Sequence, residues 1–214
     1  TNTLDANTTG DRNTAVGYAA LSDYNVTDGG NDYNVAVGYA ALNQTTTGAF
    51  NTAVGGDALQ ANTTADNNTA VGYDALRSNT TGAENTAIGK EAAEANTTGS
   101  YNTALGRTSF LTNTTGSSNV ALGANTLRSS TTASNNTAVG YDSLRANTTG
   151  TGNVSVGTNS LTTNTTADNN TAVGKDALKL NTTGADNTAL GMNALQANTT
   201  ASYNAALSRG ALTN

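Results

Sequence analysis

The sequence predicts an all-β chain, a parallel β-solenoid of about twelve coils of 17 residues each. Three observations carry this: a phrase that recurs at a fixed interval, alternation of side chains within that phrase, and a complete lack of proline.

The phrase is Asn, Thr or Val, Ala or Ser, an aliphatic residue, then Gly. It begins at Asn13, Asn34, Asn51, Asn68, Asn85, Asn102, Asn119, Asn136, Asn153, Asn170 and Asn187. A decayed copy begins at Asn204, where Ser208 replaces the Gly. From Asn34 onward every step is 17 residues; the first step is 21, which places a four-residue insertion within 22–33. Units this short cannot hold a core alone, so neighbouring copies must stack. With no linker and no change of composition, 1–214 reads as one solenoid domain and as a piece of a longer fibre, expected either to continue at both ends or to join other copies end to end.

Within a unit, Thr, Asn, Gly and Val crowd out the good helix formers. The first five positions suit a strand, in which Thr69 and Val71 share one face and Ala70 and Gly72 the other. A second extended piece is expected over 74–78, centred on Leu76. The Asn-Thr-Thr-Gly stretch carries turn chemistry. The absence of Pro fits, because each strand N–H would bond to the next coil and Pro lacks that donor. At a coil spacing of about 4.8 Å, the rod would be on the order of 60 Å long.

Two columns are expected to form the core. Position 4 is always aliphatic, as in Val16, Val71, Ile88 and Leu105, and position 9 is nearly always Leu, with Ala93 and Phe110 as exceptions. Asn at positions 1 and 12 would stack into amide ladders. The Ala70/Gly72 face, stripped to small side chains, is expected to meet other chains around a three-fold axis.

Composition excludes several chemistries. There is no Cys and no His, so no disulfide, no thiolate and no imidazole base. Nine Lys+Arg against fifteen Asp+Glu leave no basic footprint for nucleic acid. No apolar run approaches the roughly 20 residues of a membrane span.

Five features are candidates for function. Asn-x-Ser/Thr acceptor sequences for glycans occur at Asn7, Asn62, Asn79, Asn96, Asn113, Asn147, Asn164, Asn181 and Asn198, and also at Asn25, Asn43, Asn67, Asn135, Asn153 and Asn169. Ladder and turn roles for these Asn are the preferred reading. Thr columns at positions 13 and 14, such as Thr80 and Thr81, raise ice binding, but adjacent residues point to opposite sides. The insertion offers Asp23, Asn25, Thr27, Asp28 and Asp32 as oxygen ligands for Ca²⁺; its Gly spacing argues instead for a solvated loop. Asp57, Asp74, Asp142 and Asp176 recur at position 7, with Glu91, as a solvated column rather than an acid–base pair. Tyr18, Tyr39, Tyr73, Tyr141, Lys90, Lys175 and Arg107 form a position 6 stripe that offers a contact surface for sugars or proteins, with ordinary exposed surface as the competing reading.

The phrase Asn-Thr-Ala-Val-Gly, followed by Ala and Leu, resembles the head repeats of trimeric autotransporter adhesins. It is also similar to repeat shafts of bacterial and phage tail fibres. The period here is longer than in adhesin heads, the extra residues lying in the Asn-Thr-Thr-Gly bend. The resemblance implies a left-handed β-roll, a homotrimer, and a place outside the cell, on a cell or virion surface. The expected function is a non-catalytic adhesive or structural fibre, associating with itself and with a surface receptor or glycan. A phage tail-fibre shaft and an ice-binding solenoid are the alternatives. No catalytic, cofactor or metal residues are assigned.

Overall fold

The computed structural model describes residues 3–7, 10–26 and 32–213. Among them are twelve short strands, from β1 (Thr14–Val16) to β12 (Ala205–Ala206), and no helix. They form one parallel sheet in which each strand pairs with its sequence neighbours. The register follows the repeat: β4 (Thr69–Val71) pairs with β5 (Thr86–Ile88) as Thr69↔Thr86, Ala70↔Ala87 and Val71↔Ile88. The longer first step is absorbed without loss of register, since Thr14 pairs with Val35. The molecule is a β-solenoid.

Backbone groups are satisfied between coils rather than within them. Thr69 N–H donates to Asn85 O and Gly89 N–H to Val71 O, both at 2.8 Å. The bonding continues outside the sheet, from Leu76 N–H to Ala92 O at 3.0 Å and from Thr80 N–H to Thr97 O at 2.9 Å. A proline at any of these places would delete a donor. Gly72 closes the strand at φ +137°, and a Cβ there would lie 2.5 Å from Gly89 O. Position 5 is therefore Gly both for its dihedral and for the closeness of the next coil.

The second expected strand does not form. Residues 73–78 are turn, with positive φ at Asp74 (58°) and Leu76 (50°). Ala75 and Leu76 are adjacent and both fully buried. A strand would send them to opposite faces; the left-handed residues curl the chain so that both enter the core.

The core also differs from expectation in one column. Leu76 and its equivalents from Leu21 to Leu195 are buried as foreseen, with Phe110 in the same file, while Leu212 in the last coil is 57% exposed. The position 3 Ala joins them: Ala36, Ala53, Ala70, Ala87 and Ala172 are 0% exposed. Position 4 instead faces out, at 59% exposure for Val16, 45% for Leu105 and 38% for Ile88. The Ala face thus lines the narrow interior and is not an interchain surface. The coil is too tight to admit a larger side chain there.

Two Asn files line the core and behave as expected. At position 1, Asn51 Oδ1 accepts from Asn68 N–H at 3.0 Å, while Asn51 Nδ2 donates to Ala65 O at 2.8 Å. At position 12, Asn79 Nδ2 donates to Asn62 Oδ1 at 3.1 Å and to Gly82 O at 2.8 Å. Position 13 adds a third file, in which Thr80 Oγ1 donates to Thr97 O at 3.0 Å. In coils where Ser replaces Ala, the hydroxyls pair inside the core: Ser155 and Ser160 share a 2.5 Å hydrogen bond.

Candidate functional site

The strands turn one face inward and one outward. With Ala inward, positions 2 and 4 face out together, giving a sheet face of mostly half-buried Thr or Val beside half-buried to exposed Val, Ile or Leu. Parallel pairing stacks identical positions, so the aliphatic residues form an unbroken file from Val16 to Leu207. An apolar stripe of this length on a polar chain is the candidate site for an interaction.

Two exposed files flank this face. The position 6 file carries Tyr18 and Tyr39, whose rings stack with centroids 5.5 Å apart, and Lys90 Nζ, which lies 6.0 Å from the Tyr73 ring. The other file is the residue immediately before each Asn, at position 17. There Tyr33 and Phe50 stack at 5.8 Å, with Arg12 Cζ 5.3 Å from the Tyr33 ring. Sequence reasoning did not single out position 17. Its signal was available: Tyr33, Phe50, Tyr101 and Tyr203 recur at one place in the period.

The glycan acceptor sequences divide by burial. Asn62, Asn79, Asn96, Asn113, Asn147, Asn164 and Asn181 are 0% exposed and tied into the position 12 ladder, and Asn153 is equally buried at position 1. A sugar on any of them is incompatible with the folded coil. Asn67, Asn135 and Asn169 lie at the exposed position 17. The position 13 Thr spend their hydroxyls on neighbouring carbonyls and position 14 is exposed, so the two columns do point apart.

Of the proposed Ca²⁺ loop, Thr27 and Asp28 lie outside the described residues. Asp32 is buried, and its carboxylate accepts from Asp11 N–H at 3.0 Å. Among the described residues no three acidic side chains gather as a metal site.

The position 7 carboxylates stand in file rather than in facing pairs. Burial pushes Asp74 above the usual carboxylate range, with Asp57 and Glu91 adding to the rise and Arg77 opposing it. Glu94 is raised as well, by burial first and then by Asp74 and Glu91. Arg77 lies 3.7 Å from Asp74 and 3.8 Å from Glu94. Elsewhere the column is knitted by amides, as where Asn125 Nδ2 donates to Asp142 Oδ1 at 2.9 Å.

Comparison with known proteins returns no matching family model, no match among curated proteins and no match among solved structures. The geometry of the outward face and its flanks therefore carries the functional argument.

Proposed function

We propose that this chain is a non-catalytic fibre segment of a surface adhesin, acting as a rigid rod that spaces or displays binding sites. The carrying observation is the outward file of aliphatic residues along the whole sheet. In this reading identical chains bury that file against one another around a three-fold axis, forming a homotrimer. Burial of the face removes about 25 cal/mol for each Å² of apolar surface withdrawn from water, and the gain grows with every coil added. Continuous interchain packing then gives the rod its stiffness, and repeated weak contacts along its sides give avidity for a receptor or glycan. A phage tail-fibre shaft would use the same physics, and either owner places the chain outside the cell.

The test is molar mass by light scattering. A wild-type value near three times the 21.3 kDa chain supports the trimer; a single-chain value sinks it. The double variant Val71→Lys/Ile88→Lys should become monomeric while keeping its β-sheet circular dichroism, since both side chains already face outward.

One observation favours a second reading. The Thr of position 2 and the aliphatic of position 4 form two regular ranks on one sheet, the kind of array that ice binding requires and that positions 13 and 14 do not supply. A monomeric chain showing thermal hysteresis would favour this alternative.

A further inference from the structure

The two files flanking the outward face differ in charge. The position 6 rim carries Lys90, Arg107, Lys175 and Arg209 and no carboxylate. The position 17 rim carries Glu84 and Asp186, with Arg12 its lone cation. Lys90 and Lys175 touch the position 7 acids Glu91 and Asp176 at 3.0 and 3.9 Å, whereas among the described residues no carboxylate lies within ion-pair distance of Arg107 or Arg209.

We infer that copies of this chain dock parallel and in register, with the position 6 rim of one chain against the position 17 rim of the next. This rests on the trimeric reading above and specifies its geometry. Two chains packed face to face and antiparallel bring like rims together, setting the cationic rim against itself. Rotation about the rod axis brings unlike rims together and keeps every coil at its own level, which closes a ring.

Level by level, the unlike rims fit. Arg12 shares its level with Tyr18, Arg107 with Tyr101, and Arg209 with Tyr203, each an Arg opposite an aromatic face that attracts it. Glu84 shares its level with Lys90, and the bulky Phe50 with Gly56. No level carries two like charges. Within one chain these partners stand six residues apart on either side of a strand, roughly 20 Å if extended, so they cannot meet each other. They meet only across an interface.

The chain has no native Cys, so engineered thiols are unique. Glu84→Cys/Lys90→Cys, treated with a short bismaleimide, should yield covalent trimers on a denaturing gel. Each single variant should stay at the mass of one chain. Cross-linking by either single variant means that like rims meet, and overturns the inference. Failure of the double variant to cross-link while light scattering still gives a trimer also overturns it, but leaves the fibre reading standing. A monomeric mass for the unmodified chain overturns both.

Discussion

At the scale of single residues, the repeat is most informative where it lapses. The position 12 ladder is interrupted at Ser130, which stands between Asn113 and Asn147. Ser130 Oγ is buried without a hydrogen-bond partner, and so is Thr45 Oγ1 at the same position. Each short hydroxyl fails to span the coil spacing that the amides bridge. Ser130→Asn should restore bonds to both neighbours and raise stability by about 1–2 kcal/mol, read from denaturant unfolding. The converse change, Asn79→Ala, strands the amides of Asn62 and Asn96 and should cost about 2–4 kcal/mol. Equal stability of the two variants would remove the ladder as a source of cohesion.

Asp74 supplies a pH prediction at the same scale. Its folded-state pKa is raised, so the folded chain holds the proton more tightly than the unfolded chain does. Stability from this group therefore rises as pH falls from neutral towards about 4, opposite to ordinary acid denaturation. Glu94 acts in the same direction. Asp74→Asn should raise stability at pH 7 and flatten the rise that accompanies acidification towards about 4, since Asn125 and Asn159 already occupy this column and donate to neighbouring carboxylates. Identical pH profiles for variant and wild type would contradict this account.

At the scale of the element, one coil is a three-residue strand followed by a run of turns. Positions 7, 9 and 17 sit at positive φ, and in nearly every coil all three are non-glycine, for example Asp74, Leu76 and Glu84 at 58°, 50° and 58°. Each costs on the order of 1–2 kcal/mol. The interchain-like bonding from coil to coil must hold them, which is why a single coil has no independent stability. The position 9 file shows how tightly coils are fitted. Ala93 and Phe110, the two departures from Leu, fall in successive coils, and both are buried. Stacked one level apart in a single file, a large ring and a small side chain offset each other's volume. Ala93→Leu should overpack the file and cost about 1–3 kcal/mol. Adding Phe110→Leu should recover at least about 0.5 kcal/mol of that through coupling; strict additivity would mean that the two do not share space. Ala70→Leu belongs to the same scale. It places a large side chain in the narrow interior, and loss of the cooperative β signal is expected, not a mere change in assembly.

At the scale of the whole molecule, the rod is one sheet twelve strands long, with a narrow interior of Ala, Leu and Asn files and an apolar outer sheet face. One aliphatic file, that of Leu76, lies inside and the other, that of Val71, lies outside. In the proposed trimer the outer file is the one that several chains would pool. Outward substitutions at Val71 and Ile88 should therefore separate chains, whereas inward ones at Ala70 should unfold them. Comparing light scattering with circular dichroism on both variants distinguishes the two effects.

The sequence by itself determined the stacking. A 17-residue phrase of Asn-Thr-Ala-aliphatic-Gly without proline leaves parallel coils in register, Leu76 and its file inside, and Asn79 and its file as a ladder. Periodicity reports what repeats, and stacking follows from repetition. Only the tertiary structure decided which strand face points inward. Alternation separates Ala70 from Val71 but is symmetric between the two sides. The left-handed turns at Asp74 and Leu76, which set the coil's width, admit Ala and turn the larger Val outward.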